Sequence, residues 1–300
     1  MNLQYSPIFK YPRKAFKLFL SCLYPIVIRL YPLPTVKSIP ETIDKILNDK
    51  VSICRFGDSE FLYLIEKRNL PYQKQEVRLR EYFKKILKST DPNILVGLPI
   101  GYYSHNNLKS STKRMWRAVI SWTYPKLKNY LDLDKTYYNA SMTRLYMDYE
   151  DTTHSGEWFK KVMQIWEDKE VLLIEGEKSR LGVGNDLFSR SQSVQRILGP
   201  AHNAFDRFDE LLNFAKQHPK NKLILIAMGP TAKPLAYELA LAGYQVIDIG
   251  NLDIEYEWFI KGVKKKTKIE GKYTSEAKGG RNVTDMADSL YENQIIKKIL

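Results

Sequence analysis

Short, unbroken apolar runs recur along this chain, and helical spacing follows most of them. Val51–Arg55, Asn93–Pro99, Val171–Ile174, Leu223–Met228 and Gln245–Ile249 read as strands. A strand that is apolar throughout, rather than at every second position, is one buried on both faces, so these runs predict a parallel sheet. Helices are predicted from Pro40 to about Leu47, over Phe61–Glu66, Lys113–Val119 and Phe205–Lys216, and over Ala232–Leu241, which Gly243 closes. Arg78–Leu87 carries Leu79, Tyr82, Phe83, Ile86 and Leu87 at helical spacing. A further strand is expected within Thr136–Leu145. The alternation predicts an α/β fold with a mostly parallel sheet and helices on both faces. No repeat and no long linker interrupts it, so residues 39–300 are expected to form one domain.

Residues 1–38 are expected to form a basic, amphipathic N-terminal helical extension. Ile8 to Leu33 holds Lys10, Arg13, Lys14, Lys17 and Arg29 and no acid. Its apolar run, Ala15 to Tyr31, is broken by Lys17, Pro25 and Arg29 and falls short of the roughly 20 apolar residues a spanning helix needs. It also lacks the small-residue cleavage site of a signal peptide. Two readings stand side by side: a basic helix lying on the inner leaflet of a membrane, or a helix packed on the domain.

Composition narrows the function classes. Of 300 residues, 44% are hydrophobic and 27% charged, as in an ordinary folded protein, and the formal charge is +13. Such a surplus favours anionic partners: nucleotides, nucleic acid or an acidic membrane surface. No recognisable nucleic-acid module accompanies it, and no nucleic-acid partner is expected. The two cysteines, Cys22 and Cys54, make neither a disulfide framework nor a zinc site, which points to a reducing cytoplasm. The four histidines fall into no ligand spacing, and the Gly-x-Ser-x-Gly elbow of serine hydrolases is absent.

Four constellations carry candidate chemistry. Arg55-Phe56-Gly57-Asp58-Ser59-Glu60 follows the first strand. Asp58 and Glu60 together suit a hard cation such as Mn²⁺ or Mg²⁺ if the backbone there is extended; otherwise they are loop acids, with Asp58 capping the next helix. Gly229-Pro230-Thr231-Ala232 leads a buried strand into a helix whose free amides suit a phosphate, or it is a plain tight turn. Glu175 to Asp186 mixes Gly182 and Gly184 with Lys178, Arg180 and Asn185, either a diphosphate site or a solvated loop. Asp248 to Trp258 places Asp253 and Glu257 on one helix face, with Glu255 apart from them. These acids are either a general base or the acidic first turn that a helix dipole favours.

In this order, Cys54 to Phe61, Leu173 to Phe188, Gly229 to Ala232 and Asp248 to Trp258 resemble the GT-D-type glycosyltransferases, a bacterial family formerly catalogued as a domain of unknown function. The resemblance covers about residues 40–275 and leaves the leader uncovered. It implies a Rossmann-like fold that takes a nucleotide-sugar, typically a UDP-sugar, with Mn²⁺ or Mg²⁺. The family's Asp-x-Glu motif falls on Asp58 and Glu60. Ser59 stands where glycine is usual, and Asn251 where histidine is frequent, so Asn251 would be an oxygen-only metal ligand. Arg55, Gly57, Lys178, Arg180, Gly182, Asn185, Gly229 and Thr231 are then expected around the nucleotide-sugar, and Asp253, backed by Glu257 and Glu255, is expected to deprotonate the acceptor hydroxyl. The expected enzyme is a cytoplasmic glycosyltransferase, peripheral at the inner membrane face, acting on a surface polysaccharide, glycolipid or protein-linked glycan. Another nucleotide-dependent transferase, such as a methyltransferase, and a non-catalytic module of a glycan-assembly complex are the rival readings.

Overall fold

The computed structural model of the protein describes residues 10–284 and 287–300. The first nine residues of the leader therefore lie outside the described residues. Helix α1 (Lys10–Leu30) precedes α2 (Ile39–Asp49), which begins with a capping box: Ser38 Oγ accepts from the Glu41 amide, and Glu41 accepts from the Ser38 amide. Strand β1 (Ser52–Arg55) runs into α3 (Asp58–Glu66), then come α4 (Val77–Leu87), β2 (Ile94–Leu98), the single turn α5 (Ile100–Tyr103) and the long α6 (Ser110–Leu127). Within the segment expected to hold a strand, β3 is only Tyr138–Asn139. Helix α7 (Ser155–Met163), β4 (Glu170–Gly176), β5 (Ser193–Gly199), α8 (Phe208–Ala215) and β6 (Leu223–Ala227) follow. The chain continues through α9 (Ala232–Leu241), β7 (Val246–Asp248), α10 (Leu252–Ile260), α11 (Ser289–Gln294) and β8 (Ile295–Lys298).

Among the described residues the strands form one eight-stranded sheet in the order β3-β2-β1-β7-β6-β4-β5-β8, with every neighbouring pair parallel. The continuous apolar runs have a direct cause. Along β4, Val171 and Leu173 enter one core and Leu172 and Ile174 the other, and β6 repeats this with Leu223 and Leu225 against Ile224 and Ile226. One core is closed by residues of α4, α8 and α9, such as Phe83, Phe208 and Leu235; the other by residues of α2, α7 and α10, such as Ile43, Phe159 and Trp258. Each apolar side chain so buried contributes about 1.5–3 kcal/mol relative to exposure.

The topology places the site. The chain leaving β1 continues to β2 and β3 on one side, whereas the chain leaving β7 returns as β8 at the opposite edge. Neighbouring strands whose continuations diverge leave a crevice above their carboxyl ends. Helix α1 packs along α6, with Phe16 edge-on to Trp122 and Tyr24 against His105. Helix α1 is thus docked on the domain by one side.

Candidate functional site

A cavity of about 580 Å³ opens over the carboxyl ends of the strands, and its floor is the β1, β4, β6 and β7 exits. Asp58, Lys178, Gly229, Asn251 and Asp253 all line it, so the four motifs separated in sequence meet in one place. A second wall comes from the irregular segment after α10, which contributes Lys266, Tyr273, Glu276 and Arg281. Lys272 anchors that segment by donating to both oxygens of Asp253 (3.0 and 2.8 Å) and to Glu257 (3.0 Å).

At β1 the local structure differs from the extended arrangement that two cooperating carboxylates need. Gly57 is the N-cap, and Asp58 already begins α3. Residues two apart in a helix are turned by about 200°, so the Asp58 and Glu60 side chains diverge. Glu60 bends back to accept from the Gly57 amide (2.9 Å), while its other oxygen accepts from the Lys233 ammonium (2.9 Å). Lys233 also donates to Gly229 O (3.0 Å) and stands 3.6 Å from Asp248. Burial pulls the Lys233 pKa down, but Glu60 and Asp248 reverse that and leave it raised. Asp248 in turn holds Arg55 at 3.1 Å, and the guanidinium also donates to Ala140 O (2.8 Å) and to Thr143. Arg55 therefore lines the cavity as part of a closed Arg55–Asp248–Lys233–Glu60 chain of charges. Gly250 is required beside it: its φ is +46°, and a Cβ there would stand 2.2 Å from Arg55 Nη2.

Asp58 is different. Among the described residues no cation pairs with it, although it lines the cavity. Burial raises its pKa, the neighbouring charge of Glu60 raises it further, and Arg144 opposes both. Arg144 itself is taken by Glu276, which also pairs with Lys266. Of the cations lining the cavity, Lys178 and Arg281 have no carboxylate partner among the described residues. Among the described residues the wall thus carries two cations with no carboxylate partner and one carboxylate, Asp58, with no ion pair.

Several expected site residues turn out to do other work. Asp253 lines the cavity, but its Oδ1 accepts from the Gly182 amide (2.8 Å), from Asn185 Nδ2 (2.8 Å) and from Lys272. It ties the 178–185 loop to α10 and to the segment that carries Lys272. Glu257 does not line the cavity; Lys272, Lys261 and Asn185 hold it, and those three partners lower its pKa against the opposing effect of burial. Glu255 is fully buried away from the cavity and accepts from the Tyr146 and Met147 amides (3.2 and 3.0 Å); burial raises its pKa to about 7. Of the three acids expected to act as base, the cavity is lined by Asp253, while Glu257 and Glu255 stand outside its lining. Arg180, Gly182, Asn185 and Thr231 also lie outside the cavity lining. Arg180 Nη1 donates to Gly271 O and Thr284 O, and Gly182, with φ +75°, lets Phe188 pack where a Cβ would come within 2.4 Å.

A divalent cation was expected on Asp58, Glu60 and Asn251. Glu60 has both oxygens engaged, and Asn251 Nδ2 donates to Glu276 (3.2 Å). Among the described residues no group of three or more His, Cys, Asp or Glu side chains is placed to hold a metal. Of the three expected ligands, Glu60 is engaged at both oxygens, whereas Asp58 and the Asn251 Oδ1 are not engaged by these bonds. The unmatched Asp58 carboxylate does fit an ion that arrives on a diphosphate, because Mg²⁺-like ions often use one or two carboxylates and take substrate phosphates as the remaining ligands.

Lys233, Lys272, Tyr273, Glu276 and Arg281 escaped the sequence reading. Lys233 had a signal: one lysine in an otherwise Ala- and Leu-rich helix turn that packs inside. The others lie in a Lys-rich tail without periodicity, which offers none.

Comparison with known proteins converges on one family. The model described as "Glycosyltransferase GT-D fold" matches residues 53–277. A Streptococcus gordonii protein named "Probable glycosyl transferase Gly" is 34% identical over 268 residues, covering 88% of this chain and 39% of that protein. "Glycosyltransferase GlyD" of Streptococcus pneumoniae serotype 4 is 35% identical over 266 residues, 88% of this chain and 32% of that protein. The chain thus spans only about a third to two fifths of the length of these relatives. The solved structure of "A New Glycosyltransferase (DUF1792) from Streptococcus sanguinis" aligns with a TM-score of 0.84 at 34% identity, over 89% of this chain and 100% of that one. A second, described as a highly conserved domain of unknown function 1792 with a distinct glycosyltransferase fold, gives 0.84 at 32% identity, over 95% and 99%.

Proposed function

The chain belongs to the glycosyltransferase GT-D fold family, and from that premise we propose that it moves a sugar from a nucleotide-sugar, a UDP-sugar, to a hydroxyl of a growing surface polysaccharide or protein-linked glycan. The observation that carries this reading is the charge imbalance of the cavity wall. Lys178 and Arg281 face the cavity without carboxylate partners among the described residues, and Asp58 faces it without a cation. A nucleoside diphosphate bearing a Mn²⁺ or Mg²⁺ ion complements both: its phosphates meet the two cations, and Asp58 meets the ion. When bound, such an ion draws charge from the departing diphosphate. Lys178 and Arg281 act in the same sense, because cations fixed where negative charge grows stabilise the transition state more than the ground state. The Arg55–Asp248–Lys233–Glu60 chain holds the β1, β7 and α9 ends rigid beneath them. Among the described residues no helix is long and apolar enough to cross a membrane, which agrees with a cytoplasmic enzyme working peripherally at the inner membrane face.

The test is titration calorimetry of UDP with and without Mn²⁺, alongside hydrolysis of UDP-, GDP- and CMP-sugars. UDP binding is expected to need the metal. Asp58→Asn should remove that dependence, and Lys178→Ala and Arg281→Ala should each weaken UDP about tenfold, the loss of one charge-assisted contact. Metal-independent UDP binding unaffected by Asp58→Asn would refute the Asp58 assignment. Absence of any nucleotide binding or donor hydrolysis would refute the enzyme reading itself.

A further inference from the structure

Helix α1 is apolar on both of its sides. At about 100° per residue, Leu20, Ser21, Tyr24 and Ile28 fall on the side that meets α6, where Leu20 and Ser21 are buried and Tyr24 packs at a tilt against His105 beneath the Arg117 guanidinium. The opposite side carries Leu18, Phe19, Ile26 and Leu30, exposed at 53, 57, 57 and 66% of their surface, with Cys22 among them. A surface helix of a globular domain normally places polar residues there. By the same rotation Arg29 falls within this stripe and Lys14 at its edge, both exposed, while the exposed Lys17 falls on the α6 side; no acid occurs anywhere in the helix. Such an apolar strip with two bases on it and no acid, on a helix too interrupted to span a bilayer, matches the chemistry of a lipid–water interface.

We propose that the outer side of α1 docks on an anionic bilayer surface. Charge selects this occupant. A second copy of the chain seated on the same stripe would bring Lys14 and Arg29 of both copies together with no acid on either helix to offset them, whereas anionic headgroups pair with every one of these bases. The docking has a consequence for the site. Helix α1 lies along α6, and Met115 and Trp116 of α6 line the cavity. A docked α1 therefore holds one cavity wall within a helix diameter or two of the lipid surface, within reach of an acceptor carried on a lipid.

Cys22 supplies the experiment, since Cys54 is fully buried and a thiol probe labels the docking face alone. The full chain carrying an environment-sensitive fluorophore on Cys22 is mixed with phosphatidylcholine vesicles, with or without phosphatidylglycerol. Emission should shift to the blue, and the protein should co-sediment, only with the anionic vesicles, and salt should reverse both. The variant Leu18→Glu/Phe19→Glu/Ile26→Glu should lose vesicle binding by at least about tenfold at an unchanged melting temperature, because these side chains point away from α6. Lys14→Gln/Arg29→Gln should weaken binding to anionic vesicles while leaving the fold intact. No shift and no co-sedimentation of the labelled wild-type chain would overturn the proposal. So would equal binding to neutral vesicles, or a shift that grows with protein concentration without vesicles, which would mark self-association.

Discussion

Replacing Lys233 by methionine isolates the charge chain beneath the cavity. The Lys233 side chain is 7% exposed, and its ammonium meets Glu60 at 2.9 Å, Gly229 O at 3.0 Å and Asp248 at 3.6 Å. Removing one partner of a buried ion pair costs roughly 3–5 kcal/mol, because the other charge stays buried without its counterion. Here the survivors are partly served: Asp248 keeps Arg55 at 3.1 Å, and Glu60 keeps the Gly57 amide at 2.9 Å. The expected loss is therefore at the lower end, about 3 kcal/mol. For a chain of this size that lowers the melting temperature by roughly 6 °C, at about 2 °C per kcal/mol. The double variant Lys233→Met/Glu60→Gln should recover about 2 kcal/mol of this, since the neutral amide can still accept from Gly57 without leaving a bare charge. Urea denaturation followed by circular dichroism and by tryptophan fluorescence measures both. The pH dependence is a further check. A lysine whose folded pKa is raised gives stability that is complete below its ordinary value near about 10.4 and fades only as pH rises through the higher folded value. The difference between wild type and Lys233→Met should then be flat across neutral pH. A loss under about 1 kcal/mol, or strictly additive single and double variants, would refute the description of this chain as a coupled buried network.

Glu255→Gln should stabilise the protein above neutral pH by roughly 3 kcal/mol at most, from 1.36 kcal/mol per pKa unit. The folded pKa of Glu255 lies above its ordinary value, at about 7, so its contribution is full below the usual carboxylate range and is lost as pH rises through 7; melting curves at several pH values should be flatter for the amide. Gly250→Ala forces a left-handed position and a 2.2 Å clash with Arg55 Nη2, and it should cost about 2 kcal/mol and weaken UDP binding, read by denaturation and calorimetry. Asn185→Ala removes donors to Asp253 (2.8 Å) and Glu257 (2.7 Å). It should cost roughly 2 kcal/mol and speed amide hydrogen exchange in the 178–185 loop, with no such change expected around α1.

The strands of the central sheet were legible because burial on both faces leaves an unbroken apolar run, and that run is local. Strands β5 and β8 were not. Inside β5, Gln195 and Arg196 interrupt the run, and buried Arg196 is tolerated because Glu175 of β4 pairs with it and Gln294 accepts from its Nε; in β8, Lys297 and Lys298 suit a sheet edge, a position no local pattern reveals. The sequence likewise determined which motifs sit at strand ends, and hence which share a cavity, since a strand followed by a turn and a helix is readable from its own residues. What each acid does was decided by tertiary structure alone. Asp58 and Glu60 look like one pair until a helix starting at Asp58 turns them apart. Asp253, Glu257 and Glu255 read from sequence as a base with two acids behind it; in the fold Lys272, from a segment with no periodicity, pairs with Asp253 and Glu257, and the 146–147 backbone amides donate to Glu255. Charge pairing across distant segments is a property of the folded surface, and a chain read in order carries no record of it.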